Sequence, residues 1–347
     1  MKNKEKLCIF TKYSLNGPSS HYRVMIYLKD LENIYNVALF PFWNEKYYST
    51  YMNNKKKYII QILICYIKNI VKRIWQLYTV APKSDIVFFQ KSIVPGLKFN
   101  NLSYLKKHGC KLILDIDDAI YMNPHDDINT SLKYMDALIV GNDELKEHYS
   151  KYNHNVYVIP TVEYTPDYDK YHKDTFDNKI ITWIGSSSSI DNLDLIIDSL
   201  NEVINKHPEV KFIYICNKNY GYTQKIKNSS FIKWTQDGAI EALSAATIGV
   251  MPLKDTPFNR GKCGFKLIQY MNMGKPVVAS NVGVNEKIVG NGGFIANSSE
   301  EFSRYMETLL FDHNTYDKCC KYISTKFLEK YGYNVALNEI IKVLQHL

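Results

Sequence analysis

Short apolar runs, each closed by a polar or glycine-bearing loop, recur along this chain with longer amphipathic stretches between them. The first half reads KLCIFT, YNVALFPF, DIVFFQ, KLILDID, ALIVGN and VYVIP; the second reads KIITWIG, VKFIYICN, FIKWT, IGVMPL and KPVVAS. Runs this short, rich in β-branched and aromatic residues, predict strands buried between covering layers. LDLIIDSLNEVINKH and AIEALSAA predict helices between them, and the segment from Tyr322 onward predicts helix, a break at Gly332, then helix. Strands alternating with helices specify a parallel sheet wrapped on both faces, and here the pattern occurs twice.

The expected fold class is therefore α/β, with two Rossmann-like doubly wound parallel-sheet domains facing a cleft. A length of 347 residues agrees with two domains. The boundaries expected are 1–162, a linker over 163–178 marked by prolines and mixed charge, 179–325, and a C-terminal helix within 326–347 that packs back on the first domain. In such sheets ligands sit beyond the carboxyl ends of the strands, which directs attention to the loops there.

Charge changes the picture in one segment. The net charge is +8, and between Glu45 and Asp85 stand Lys46, Lys55, Lys56, Lys57, Lys68, Lys72, Arg73 and Lys83 with no acid among them. Lys68, Lys72 and Arg73 interrupt the apolar run there, which excludes a clean spanning helix of about 20 residues. Two readings stay open for residues 55–78: an interfacial helix on an anionic membrane surface, or a core helix with a solvated basic face. No nucleic-acid-binding module accompanies the patch, so no nucleic-acid partner is expected. Seven scattered cysteines form no C-x-x-C pair, and the N-terminal apolar run is too short for a signal-peptide core. A reduced cytoplasmic protein is expected, peripheral on the inner face of the plasma membrane if the interfacial reading holds.

Four loops carry candidate chemistry. After the first strand, Gly17, Ser19 and Ser20 open a helix with Arg23 one turn in, an anion-binding arrangement or an ordinary helix cap. After the first strand of the second half, Gly185, Ser186 and Ser187 repeat the arrangement, giving two phosphate-sized loops at matching positions. Asp115, Asp117 and Asp118 end a strand, where they can hold a divalent cation, accept bonds from sugar hydroxyls, or cap the next helix. In RGKCGFKLIQYMNMGKPVVAS, the cations Arg260, Lys262 and Lys266 gather at a loop and helix start opened by Gly264 and Phe265, with Gln269 one turn on and Lys275 expected to be solvated. His21, His108, His125, His148 and His154 have no partner in sequence and are expected to be solvated. Nucleophile-elbow, Walker and complete dinucleotide fingerprints are all missing, which weighs against hydrolysis, ATPase and hydride-transfer chemistry.

FKLIQYMNMGKPVVAS resembles the closing motif of the large retaining glycosyltransferase family with two Rossmann-like domains, family four or group 1 type. GPSSHYRV, DIVFFQK, LILDIDDAIY, IVGNDELKEH, VYVIPTVEY, ITWIGSSSS and ATIGVMPL follow in the order expected of bacterial members. The resemblance implies a GT-B fold, an acceptor domain followed by a donor domain, and hexosyl transfer from a nucleotide sugar with retention and without a metal or other cofactor. It places the base near Trp234 and Thr235, where plain core packing of Trp234 is the other reading. Family members carry two glutamates with seven residues between them; here those positions hold Gly261 and Gln269. Gln269 retains hydrogen bonds for a ribose, whereas Gly261 offers no sugar contact. The usual Gly-Arg and Lys are missing after the strand KIITWIG, so Lys266, Lys262 and Arg260 are the substitutes for gripping the diphosphate. Asp117 or Asp118 then orients a donor or acceptor hydroxyl. The function implied is transfer to a glycan or lipid-linked acceptor in surface polysaccharide synthesis, lipopolysaccharide or capsule. Competing readings are a non-catalytic relative that binds a glycan or stabilises a partner, and a metal-dependent single-domain transferase.

Overall fold

The structure, a computed structural model, describes residues 4–15, 17–99, 101–122, 128–164 and 174–347. His125 and residues 165–173 of the expected linker lie outside them. The chain divides into two compact units, Met1–Thr161 with Ala336–Leu347, and Val162–Val335.

The first unit holds β1 (Lys6–Tyr13), β2 (Asn36–Trp43), β3 (Ile86–Gln90), β4 (Lys111–Ile116), β5 (Ala137–Val140) and β6 (Val156–Val158). They form one parallel sheet in the order β2-β1-β3-β4-β5-β6. All five residues of β3 are buried, as a central strand covered on both faces requires. The helix Ile59–Thr79 runs between β2 and β3.

The second unit holds β7 (Ile180–Ile184), β8 (Lys211–Cys216), β9 (Ser229–Lys233), β10 (Ile248–Met251), β11 (Val277–Ser280) and β12 (Gly293–Ala296), in the order β12-β11-β10-β7-β8-β9 and again parallel. Successive strand residues enter opposite cores. Ile181, Trp183 and Val278 pack with Leu200, Phe302 and Met306, whereas Ile184, Val277 and Ala279 pack with Leu243, Leu267 and Ile288. The sheet is thus doubly wound.

β12 is the strand the pattern did not predict. It is four residues long and opens on a glycine pair; a Cβ at Gly293 would lie 2.0 Å from the Val277 carbonyl oxygen, so only glycine lets this edge strand pair with β11. The loop after β7 also differs from expectation. Ser186 and Ser187 are exposed turn residues, the chain then winds as a 3-10 helix over Ile190–Ile196, and α-helix begins only at Ile197.

Strand order fixes where a ligand can enter. Consecutive connections leave the sheet in opposite directions at β1/β3 in the first unit and at β7/β10 in the second, opening a crevice at each carboxyl edge.

Candidate functional site

At the switch point of the second unit lies Lys266. Gly264 precedes it in the left-handed conformation (φ 64°), where a Cβ would meet the Ile288 side chain at 2.3 Å, and the helix Phe265–Asn272 starts at once. The half-buried Lys266 ammonium lies 4.5 Å over the Trp183 ring and donates to Ser189 Oγ at 3.0 Å. Gly185 makes this approach possible: a Cβ there would stand 2.4 Å from the Trp183 ring and 2.8 Å from the ammonium. Among the described residues Lys266 has no carboxylate partner, and Trp183 Nε1 is buried without an acceptor. Burial, followed by repulsion from Lys262, pulls the Lys266 pKa down to about 7. A desolvated amine at a helix N-terminus, with no carboxylate partner among the described residues, is electrostatically suited to an anion.

The neighbouring cations differ. Arg260 is exposed and forms a bidentate pair with Asp255, at 2.6 and 2.8 Å, so its expected grip on a diphosphate gives way to a local ion pair. Lys262 lies 5.5 Å over the Phe258 ring. Lys275 is not solvated as expected; it is buried and donates to Thr175 Oγ1 at 2.8 Å, and burial lowers its pKa to about 8. A hollow lined by Leu253, Lys254, Ser280, Asn281, Asn297 and Phe302 opens beyond β10–β12. Lys254 on its rim is already paired with Asp191 at 3.1 Å, so it lacks the uncompensated charge of Lys266.

Gln269, one turn past Lys266, donates from Nε2 to Glu163 Oε2 at 3.0 Å, and both side chains are buried. A carboxylate therefore does stand beside Gln269, supplied from far away in the chain. Sequence reasoning missed Glu163 although it lies in the quoted segment VYVIPTVEY. Gly261 contributes only backbone, closing the short helix Pro257–Arg260. Trp234 is 40% exposed beyond β9, which rules out plain core packing, and Thr235 caps the helix Gln236–Ala245 by accepting from the Gly238 amide at 3.1 Å.

The first unit's switch point is chemically different. Ser19 Oγ donates to Asp117 Oδ2 at 2.8 Å and accepts from Gln90 Nε2 at 2.8 Å; Ser20 Oγ donates to Gln90 Oε1 at 2.9 Å. Lys91, held at φ 71° just past β3, reaches Asp117 at 3.0 Å and Asp118 at 2.6 Å. Arg23 pairs with Asp115 through both Nε and Nη2 and also donates to the Ile159 carbonyl at 2.7 Å. Burial pushes Asp117 up, but Lys91 and Arg23 outweigh it and hold the carboxyl below its usual range. The expected phosphate loop at Gly17, Ser19 and Ser20 is thus corrected. Its hydroxyls are spent on Asp117 and Gln90, its helix spans only Pro18–Arg23, and three carboxylates against two cations repel a further anion. Gly17 serves packing instead, since a Cβ there would meet Tyr13 at 2.2 Å. The aspartates do not converge on a common centre: no His, Cys, Asp and Glu cluster among the described residues can hold a metal ion. Asp118, the most exposed of the three, is the carboxylate a hydroxyl can reach.

His148 also departs from expectation. Its ring stacks on Tyr121 at 3.7 Å with Nε2 buried and unpartnered, and burial lowers its pKa.

Residues 178–312 match the family model described as glycosyl transferases group 1. HepE from Anabaena, solved in complex with UDP-glucose, is similar over 99% of this chain and 100% of its own, at 14% identity and a TM-score of 0.67. A glycosyltransferase from Rickettsia africae is similar over 99% and 98%, at 14% identity and 0.68. Sucrose-phosphate synthase from Thermosynechococcus elongatus is similar over 99% of each chain, at 12% identity and 0.68. At such identities the likeness is one of fold. No curated protein matches the chain.

Proposed function

We propose, on the match of residues 178–312 to the model of the group 1 glycosyl transferases, that this chain moves a sugar from a nucleotide-diphosphate sugar to a glycan or lipid-linked acceptor, with retention and without a metal, in surface polysaccharide synthesis at the inner face of the plasma membrane. The observation that carries the reading is Lys266, which has no carboxylate partner among the described residues and stands at the carboxyl edge of a doubly wound sheet. Arrival of a diphosphate supplies the missing charge, raises the lysine's pKa and fixes its proton. As the glycosidic bond breaks, negative charge grows on the leaving phosphate, and the lysine with the helix N-terminus stabilises it where it forms.

Gln269 and Glu163 together present an amide and a carboxylate for ribose hydroxyls, and Trp234 offers an exposed face for the base. In the first unit Asp118, steadied by Lys91, orients an acceptor hydroxyl. Glu163 is committed to Gln269 and is not placed in the role of a nucleophile; the reading is same-face attack assisted by the leaving phosphate. Turnover of a UDP-sugar by the purified protein in EDTA tests the proposal, and loss of turnover there overturns its metal-independent part. Gly261, bare where relatives carry an acid, favours a second reading as a non-catalytic glycan-binding or partner-stabilising relative. Failure of calorimetry to detect UDP binding favours that reading over the first.

A further inference from the structure

The helix Ile59–Thr79 of the first unit is apolar on its outer side as well as its inner one. Its inner face packs Ile62, Tyr66, Ile70 and Leu77 against the core and buries Arg73 and Gln76 there, whereas Ile60, Leu63, Ile64, Ile67, Val71 and Trp75 stand in solvent at 51 to 67% exposure. At 3.6 residues per turn these six fall within about 120° of the circumference. Lys68 and Lys72, both exposed, border that stripe, and the exposed Lys55, Lys56 and Lys57 precede the helix.

Arg73 fixes which face looks outward. Its guanidinium donates to the carbonyls of Thr11 at 3.1 Å, Phe40 at 2.8 Å and Ile93 at 2.9 Å, and stacks 4.7 Å over Phe10. Rolling the helix to bury its aliphatics would break all three bonds and strand a charge, so the exposed stripe is locked in place.

We infer that this face docks on an anionic lipid bilayer with the helix axis in the membrane plane, the aliphatics at the acyl boundary and the lysines among the headgroups. The inference rests on the membrane-side reading given above and assigns it a surface. No helix among the described residues is long and apolar enough to cross a membrane, which leaves the in-plane geometry for this one. A second copy of the chain is disfavoured as occupant. Pairing two such faces sets lysines against lysines, with no acid between Glu45 and Asp85 to offset them.

The test uses the full chain with vesicles of phosphatidylcholine alone or mixed with phosphatidylglycerol, read by co-sedimentation and by quenching of Trp75 with brominated lipid, Trp75→Phe being the control. Binding to the mixed vesicles is expected. Ile64→Glu with Ile67→Glu should lower the partition coefficient about a hundredfold, and Lys55→Glu, Lys56→Glu and Lys57→Glu together should do the same at low salt. All five positions are exposed, and unchanged thermal melts verify that the variants fold. The inference is overturned by absence of partitioning, by wild-type partitioning of the Ile64→Glu/Ile67→Glu variant, or by a solution dimer that this variant dissociates. UDP calorimetry on the same samples separates the two proposals: UDP binding without vesicle binding sinks the docking face alone, and vesicle binding without UDP binding sinks the donor site alone.

Discussion

Replacing Lys266 with Met keeps the stem over Trp183 and removes the charge, and the two consequences have opposite signs. At roughly 1.4 kcal/mol for each tenfold change in acidity, lowering this pKa from 10.5 to about 7 corresponds to about 5 kcal/mol for charging the lysine in the ligand-free protein. Solvent screens a half-buried side chain, so about 2 kcal/mol is the expected share. Because the folded pKa lies below the unfolded one, the unfolded chain binds more protons between pH 7 and 10.5. Wild-type stability therefore rises with pH across that window, and the penalty is full below pH 7. Lys266→Met should melt about 4–8 °C above wild type near pH 6, the difference closing as pH approaches 10. The same variant should bind UDP about ten- to a hundredfold more weakly, the worth of one charge-assisted hydrogen bond. Differential scanning fluorimetry across pH and isothermal calorimetry read the two effects. A variant less stable than wild type near pH 6 would show that the lysine has a counter-ion in the folded chain, and an unchanged UDP affinity would remove the diphosphate from this site; either result refutes the reasoning.

Three further substitutions probe the surroundings. Gln269→Glu sets a carboxylate against Glu163 across a 3.0 Å contact, so urea titration should show a loss of about 1–3 kcal/mol near pH 8 that is largely recovered near pH 5, where one of the pair takes up a proton. Gly185→Ala drives a methyl into Trp183 and the Lys266 ammonium; calorimetry should show a loss of UDP affinity even in preparations whose melts remain cooperative. Asp115→Ala strands the buried Arg23 and should cost about 3–5 kcal/mol of first-unit stability by chemical denaturation, while UDP affinity in the second unit stays within twofold or so of wild type.

The sheets were legible because parallel strands buried on both faces read as unbroken apolar runs, and eleven such runs match strands of the two sheets. β12 escaped because its pairing depends on the missing side chain of Gly293, which leaves no apolar signature. Within the site, Lys266 and Gln269 were legible from helical spacing. Glu163 was not, since 106 residues separate it from its partner and nothing local marks a glutamate that will be buried. Lys275 misled for the converse reason: a charged residue after a turn suggests solvent, and only the fold supplies the Thr175 hydroxyl that makes burial tolerable. Ser19 and Ser20 looked like an anion loop because a helix start is visible in sequence, whereas the carboxylate that claims Ser19, Asp117, stands just past β4, 98 residues later.

The division of the chain has a consequence for its synthesis. The first unit is completed by residues Ala336–Leu347, of which Ala336, Leu337, Ile340, Val343 and Leu344 are buried, while the second unit is one continuous segment lying wholly within the first. On the ribosome the order of completion is therefore reversed. The second unit can close its core while the chain is still being extended, whereas the first unit, its six strands made earlier, is completed only after the second has been made.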